Sequence, residues 1–309
     1  MRILFMGSPK FSIPVLKNLI DSQHDLVAIY TKSDKPAGRG NKMSSPAIKL
    51  FAENLDFKVH QPSSLKDPKV QEEVSQLNPD LIVVAAYGKL IPKELLLIPR
   101  YGCWNLHPSL LPEYRGPSPV VSAILDGKIT TGVTLMQIDE GLDTGPIISQ
   151  EKIEIDMNDS AGECTEKLFA IGAKMLIKNL PNLINGNLVP EPQREALVTT
   201  TKLVKKSDGL INWNTTAEHI IRMDRAYRPW PGIYTIWKNK IIKILEVKPY
   251  RLDQMYESPG KVEKINGNLI VKTTKGALIL CKLQLEGKRE VSSIDFASGY
   301  PDFINSKLE

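Results

Sequence analysis

Short apolar runs alternate with helix-spaced segments through the first part of the chain, and this alternation constrains the fold more than any other feature. Residues 2–6, 25–31, 81–86 and 103–106 are apolar or β-branched runs of strand length. Between the second and third of them Ala47, Ile48, Leu50, Phe51 and Leu55 recur at helical period, and so do Val70, Val74 and Leu77. Such β-α-β alternation predicts a mainly parallel sheet with helices on both faces. Ligands of these sheets bind beyond the carboxyl ends of the strands, where the loops leave the sheet. Residues 1–7 therefore read as a first strand. A secretory leader needs a longer apolar core and a small-residue cleavage site.

Beyond residue 129 the pattern changes. Residues 130–138 and 146–155 read as two strands joined by Asp139-Glu140-Gly141-Leu142-Asp143-Thr144-Gly145. A long helical segment follows over 160–183, and Val189-Pro190-Glu191-Pro192-Gln193 reads as a linker, with two prolines among polar residues. Residues 233–237 and 241–247 flank Asn239-Lys240 as a hairpin. Residues 261–265 and 269–273 flank Asn266-Gly267, a strong hairpin turn, and 277–285 adds another strand. Strands this short and this close suit a small OB-type β-barrel. The expected fold is α/β. A mainly parallel, Rossmann-like sheet domain spans 1–189, a linker 190–206 and an OB-like barrel domain 207–309.

Composition removes several classes of function. With 42% hydrophobic and 24% charged residues the chain has globular values, so wholesale disorder is excluded. The apolar run over 81–87 falls far short of the ~20 residues of a membrane-spanning helix, so no membrane partner is expected. Cys103, Cys164 and Cys281 are odd in number and far apart, which suits neither a disulfide framework nor a zinc ribbon and fits a reducing cytoplasm. Charge is uneven: residues 1–189 hold 20 basic against 21 acidic side chains, residues 190–309 hold 20 against 14. The basic excess of the second part suits a polyanionic partner, and equally a solvated, lysine-rich surface.

The motifs narrow the chemistry. The loop Gly7-Ser8-Pro9-Lys10-Phe11 stands where a dinucleotide-binding turn would, but it holds one glycine where a pyrophosphate cradle needs three. There is no P-loop, no G-x-S-x-G elbow and no H-E-x-x-H. The informative stretch is Asn105-Leu106-His107-Pro108-Ser109-Leu110-Leu111-Pro112, which leaves a strand at its carboxyl end. In β alternation Asn105 and His107 share a face. The amide can stabilise charge developing on a carbonyl oxygen, and the imidazole can accept a proton near neutral pH. The two prolines stiffen the loop that follows. A strand end with a hydrogen-bonded histidine is the plainer alternative.

The acidic glycine loop around Asp143 lacks EF-hand spacing. It is either a polar turn or the source of a carboxylate for His107, and sequence spacing does not bring the two together. The segment over 32–42 carries Lys32, Lys35, Arg39 and Lys42 against Asp34. It reads as a phosphate-gripping loop or as a flexible surface loop. Tyr227-Arg228-Pro229-Trp230-Pro231 could stack on a nucleobase or pack at a domain junction.

Together these stretches resemble the 10-formyltetrahydrofolate-dependent formyltransferases. Asn105-Leu106-His107-Pro108-Ser109-Leu110-Leu111-Pro112, Tyr114-Arg115-Gly116 and Gly141-Leu142-Asp143-Thr144-Gly145 carry the likeness. Lys35-Pro36-Ala37-Gly38-Arg39-Gly40 and Arg228-Pro229-Trp230-Pro231, with the length and the second domain, point to the members that act on aminoacylated tRNA. The resemblance implies a catalytic trio of Asn105, His107 and Asp143. It implies a folate site lined by Ser109, Leu110, Leu111 and Pro112, with pterin-pocket walls over 87–91 and 138–142. It implies contact of Arg39 and Lys42 with the acceptor end of the tRNA. The implied donor is 10-formyltetrahydrofolate, and the implied acceptor is the α-amino group of methionyl initiator tRNA, for translation initiation. No metal is implied, and the chain would work as a monomer in the cytoplasm. A sugar-nucleotide or purine-precursor formyltransferase, or a formyltetrahydrofolate hydrolase, would share the trio. A nucleic-acid binder with an inactive domain would have lost part of it.

Overall fold

The computed structural model of the chain describes residues 1–37 and 42–309. They form two compact units. The first comprises Met1–Pro119, Thr130–Glu154 and Thr165–Thr201, and the second Val120–Ile129, Ile155–Cys164 and Lys202–Glu309.

Up to residue 184 the chain runs through β1 (Arg2–Gly7), α1 (Ile13–Ile20), β2 (Asp25–Tyr30), β3 (Lys35–Ala37), β4 (Lys42–Ser44), α2 (Ala47–Glu53) and β5 (Val59–His60). It continues through α3 (Pro68–Leu77), β6 (Leu81–Ala85), α4 (Lys93–Leu96), β7 (Cys103–His107), α5 (Pro119–Leu125), β8 (Thr130–Gln137), β9 (Ile147–Glu154) and α6 (Ala161–Ile184). The sheet of the first unit has the order β5-β2-β1-β6-β7-β8-β9. Pairing is parallel from β5 to β7 and antiparallel from β7 to β9. The chain first moves outward from β1 to β2 and β5, then crosses to β6 on the other side of β1. The carboxyl ends of β1 and β6 therefore form the switch point at which such sheets open a crevice.

The apolar runs become strands because both faces of the sheet are covered. Every residue of β6 is buried. Leu4, Met6, Ala28, Tyr30, Ile82 and Val84 pack on one side with Leu65, Val74 and Leu95. On the strands that carry Leu106 and Val133, α6 lies close: a Cβ at Gly172 would sit 3.0 Å from Leu106 and 3.1 Å from Val133. Helix α3 starts and stops by local chemistry. Asp67 accepts from the Lys69 amide at 3.0 Å, Pro68 opens the first turn, and Asn78 ends it in the left-handed region at φ 44°. The basic segment after β2, read above as one loop, has arms that pair antiparallel as β3 and β4, with Lys35 opposite Ser44 and Ala37 opposite Lys42.

The second unit carries α7 (Ala217–Ala226), β10 (Ile233–Trp237), β11 (Lys240–Met255), β12 (Val262–Ile265), β13 (Asn268–Lys272), β14 (Lys275–Leu285), β15 (Glu290–Ser292) and α8 (Ser293–Gly299). The sheet is antiparallel, ordered β10-β11-β14-β13-β12, with β15 added to β14. Its two edges are joined by the segment over 306–309. The Val262 amide donates to Ser306 O at 2.9 Å, the Leu308 amide to Gly260 O at 2.9 Å, and Ile236 and Glu309 exchange both backbone bonds at 3.0 Å. The sheet thus closes into a small barrel and leaves no edge open at β10 or β12. Its interior is filled by Trp237, Ile242, Ile244, Leu269, Val271, Leu278, Leu280, Leu283 and Leu308.

Asn266 and Gly267 turn the β12–β13 hairpin at φ 48° and 80°, the two positive values that a type I′ turn demands. The first hairpin departs from the sequence expectation by one residue. Its turn is Lys238-Asn239, at φ 50° and 59°, rather than Asn239-Lys240, because Trp237 pairs with Lys240 directly. Strand β11 also runs past Val247, since β14 is long enough to pair with it as far as Met255.

Candidate active site

Strand β7 places Asn105 opposite Val84 of β6 and His107 opposite Thr134 of β8. Alternation directs Asn105 and His107 to one face and Trp104 and Leu106 to the other. Among the described residues the Asn105 side-chain amide has no hydrogen-bond partner, and the residue is half-buried. His107 is 3% exposed.

The two ring nitrogens of His107 have unlike partners. Nε2 stands 3.0 Å from the carbonyl oxygen of Tyr114. A carbonyl only accepts, so Nε2 carries the proton and donates. Nδ1 is then the lone-pair nitrogen of the neutral ring, and it faces Asp143 Oδ2 at 3.6 Å. Burial drives the histidine below its ordinary pKa, against the opposing pull of the Asp143 carboxylate and the Tyr114 carbonyl. The ring is therefore neutral at neutral pH, with its accepting nitrogen beside a carboxylate that can stabilise a positive charge when one forms there.

Two loops and one strap build this geometry. The loop after β7 folds back on Thr134, which is fully buried. Thr134 Oγ1 donates to Ser109 O at 2.6 Å and accepts from the Leu111 amide at 3.1 Å and from Gln150 Nε2 at 2.8 Å. Ser109 Oγ donates to Glu113 O at 2.7 Å, and the Leu111-Pro112 peptide is cis. The turn delivers Tyr114 at φ 62° with its carbonyl on His107. Gly116, at φ 114°, donates its amide to Asp143 Oδ2 at 2.8 Å, a backbone setting that disfavours any side chain. That bond holds the carboxylate against the histidine. Asp143 itself sits in the left-handed region at φ 55°.

The strap is the polar stretch after Val189. The Glu191 and Ile147 backbones exchange hydrogen bonds at 2.8 Å. Gln193 Nε2 donates to Asp143 O at 2.8 Å and Gly145 O at 2.7 Å. Gln193 Oε1 accepts from Arg115 Nε at 3.0 Å, and Glu195 takes the rest of that guanidinium. Thr199 Oγ1 accepts from the Tyr114 amide at 2.7 Å, and Thr201 Oγ1 from the Ser118 amide at 3.1 Å. Nothing in the sequence pattern pointed to Thr134, Gln193 or the Tyr114 carbonyl. Their roles follow from contacts between segments far apart in the chain.

The fold thus brings His107 and Asp143 together and sets Asn105 on the same face of β7 as His107. Ser109 and Leu111 are buried, and Leu110 and Pro112 are half-buried, in the frame of the loop beside them. Of the two expected pterin walls, Tyr87 is buried while Leu90 and Leu142 are exposed. Arg39 lies outside the described residues. Lys42 begins β4, where its backbone pairs with Ala37. Lys32 and Lys89 are both held below their ordinary pKa, by burial first and then by neighbouring ammonium groups: Lys35 acts on both, and Lys32 also on Lys89. Lys32 follows β2 and Lys89 follows β6, so positive charge gathers at the ligand-binding edge of the sheet. Among the described residues no group of three or more His, Cys, Asp or Glu side chains could hold a metal ion.

A sheet of this order, with an amide, a buried neutral histidine and a carboxylate at its carboxyl edge, has groups suited to acyl transfer. A family model described as formyl transferase matches residues 1–180, and one described as formyl transferase, C-terminal domain, matches residues 203–301. The chain belongs to the formyl transferase family. Within that family it is similar over nearly its whole length to methionyl-tRNA formyltransferases. That of Caldicellulosiruptor saccharolyticus is 43% identical over 304 residues, 97% of each chain. That of Chloroflexus aurantiacus is 41% identical over 301 residues, again 97% of each. That of Geotalea daltonii is 41% identical over 309 residues, 100% of this chain and 98% of its own.

Solved structures agree on the fold. HypX from Aquifex aeolicus in complex with tetrahydrofolic acid superposes with a TM-score of 0.67 at 17% identity, over 98% of this chain and 48% of that one. An N-formyltransferase from Helicobacter canadensis in complex with folinic acid and dTDP-3-aminofucose gives 0.67 at 19%, over 90% and 98%.

Proposed function

We propose that this chain transfers the formyl group of 10-formyltetrahydrofolate to the α-amino group of methionyl initiator tRNA, producing formylmethionyl-tRNA for translation initiation. The observation that carries the chemistry is the division of labour on His107, whose Nε2 is spent on the Tyr114 carbonyl while Nδ1 faces Asp143. The choice of acceptor rests on the methionyl-tRNA formyltransferases that match along nearly the whole chain.

The nucleophile is the methionyl amine in its neutral form. Free α-amino groups have a pKa of about 7.7–8.0, so a substantial fraction is neutral near pH 7. The amine nitrogen attacks the formyl carbon, and a C–N bond forms as the carbonyl π pair moves to oxygen. The unpartnered Asn105 amide donates to that oxyanion. His107 Nδ1 takes the proton released from the amine, and Asp143 stabilises the imidazolium. The proton passes to N10 of the folate as the C–N10 bond breaks, which restores the neutral histidine and releases tetrahydrofolate. Asn105, His107 and Asp143 are thus the reacting trio, and no metal takes part.

The stiff loop carrying Ser109, Leu110, Leu111 and Pro112 forms one side of the folate site. The cations at the sheet edge, with Arg39 and Lys42, meet the acceptor end of the tRNA. Residues 1–189, with the strap over 190–201 bonded to their loops, act as the catalytic domain, and 207–309 as the domain that binds the tRNA body. Lys243, Lys248, Lys264 and Lys282, exposed on barrel strands, support that assignment. The chain acts as a monomer in the cytoplasm.

The test offers methionyl initiator tRNA and formyl-labelled 10-formyltetrahydrofolate. Label should appear on the aminoacyl group. Label released as formate at the same rate without tRNA, or transferred equally to a free amino sugar, would refute the proposal.

A further inference from the structure

The strap over 190–201 touches both groups that define the state of His107. It reaches the Tyr114 turn through the Thr199 hydroxyl and the Asp143 loop through the Gln193 amide. The second contact is the more specific. Asp143 is a non-glycine residue in the left-handed region, a conformation that persists only where the surroundings enforce it. Gln193 Nε2 clamps the carbonyls on either side of that kink, those of Asp143 and Gly145. Its Oε1 is fixed in turn by Arg115, 6% exposed, whose charge is matched by Glu195. A primary amide is the one neutral group that meets this demand, with two donor hydrogens for two carbonyls and one acceptor for the guanidinium.

The geometry points to Gln193 as a positioning residue. With Arg115 behind it, Gln193 holds the Asp143 carboxylate in register with His107 Nδ1 and so sets the basicity of the general base. The inference rests on the proposed roles of His107 and Asp143 and deepens them. Among the described residues, Asp143 is the ionisable group that faces the His107 ring. Arg115 turns away to Gln193 and Glu195, and the remaining ring partner is the Tyr114 carbonyl.

The experiment compares the full chain with Gln193→Met and Asp143→Asn, each labelled with ¹⁵N-histidine and titrated by NMR. Methionine has the length of glutamine, carries no charge and donates nothing. The Asp143→Asn variant sets the scale, because losing the carboxylate lowers the pKa of His107. Gln193→Met should move His107 in the same direction and reach a large part of that shift. Its single-turnover formylation rate should fall by about tenfold or more, while KM for the formyl donor changes little. A misplacement of about 1 Å in an active site can cost on the order of 10²-fold.

If Asp143→Asn shifts His107 and Gln193→Met leaves it unmoved, the positioning role is overturned and the His107–Asp143 pairing stands. If Asp143→Asn also leaves His107 unmoved, the pairing falls and the inference falls with it. Because the titration reads folded protein directly, a merely structural defect would lower the yield without moving the His107 pKa.

Discussion

The two units solve the burial of a sheet in opposite ways, and the difference decides where function sits. In the first unit the central strands are covered on both faces. Every residue of β6 is buried, and so is all of β1 after Arg2. A strand that is apolar throughout has no free face for chemistry, so the reactive groups are confined to strand ends and loops. In the second unit strand β10 alternates buried with half-buried residues, β11 leaves most of its positions exposed or half-buried, and β14 alternates from Leu278 onward. Lys243, Lys248, Lys264 and Lys282 are among the exposed residues of the barrel strands. One architecture makes a few sites of exact geometry, and the other offers a broad outer surface on which the proposed tRNA binding would depend on charge more than on the placement of any single side chain.

The largest effects should come from the strand end. Asn105→Ala removes an oxyanion donor, and such losses typically cost about 10²–10³ in rate. His107→Ala removes the proton acceptor and should cost at least about 10². Both are read as single-turnover formylation at saturating substrates, with tRNA affinity unchanged. A near-normal rate in a folded variant would erase the contrast between the units.

A large effect of a different kind should follow from opening the barrel. Leu308 is 3% exposed, on the segment that joins β12 to β10. Leu308→Ala should destabilise the second unit by about 2–5 kcal/mol, the usual range for a buried leucine, measured by denaturant unfolding. The rate at the reacting trio should be preserved in the folded protein. An unchanged midpoint would show that the closing segment contributes little.

A third prediction concerns salt. Binding through phosphate contacts releases counterions, a gain that shrinks as salt rises, so even two such contacts predict a loss of roughly tenfold between about 50 and 200 mM salt. The single-turnover rate of the bound complex should change much less. Affinity that stays flat through the titration would assign tRNA binding to shape and hydrogen bonding instead.

The smallest effect is a displacement along the pH axis. Protonated Nδ1 accepts nothing, so the chemical step fails as pH falls through the His107 pKa. Burial holds that value below the ordinary histidine range. The pH–rate profile should therefore show two acid-side limbs. One belongs to the substrate amine, at about 7.7–8.0 if it titrates like a free α-amino group, and one lies on the acid side of an ordinary histidine. A histidine limb at or above the ordinary range would mean that the Asp143 carboxylate outweighs burial.

Periodicity determined most of the architecture in advance. The runs at 3–6 and 81–86 become the cores of β1 and β6 because residues apolar at every position can only be covered on both sides, and 103–106 becomes β7 with Asn105 as its polar break. Asn266-Gly267 is a hairpin turn for a similarly local reason, since both residues tolerate positive φ. The first hairpin was displaced by one residue because tertiary pairing overrode a weaker turn signal: Lys238 has no local reason to adopt φ 50°. Asn105 and His107 were legible as a pair because a two-residue spacing on a strand fixes a shared face. Their third member was legible only by resemblance. Asp143 reaches His107 across 36 residues of sequence, through the amide of Gly116 and the clamp of Gln193. The local pattern of a proline-rich polar stretch gives no sign that its glutamine holds an active-site loop. Strand periodicity is written into neighbouring residues, whereas hydrogen bonds between distant loops exist only once the sheet has brought their backbones within about 3 Å of one another.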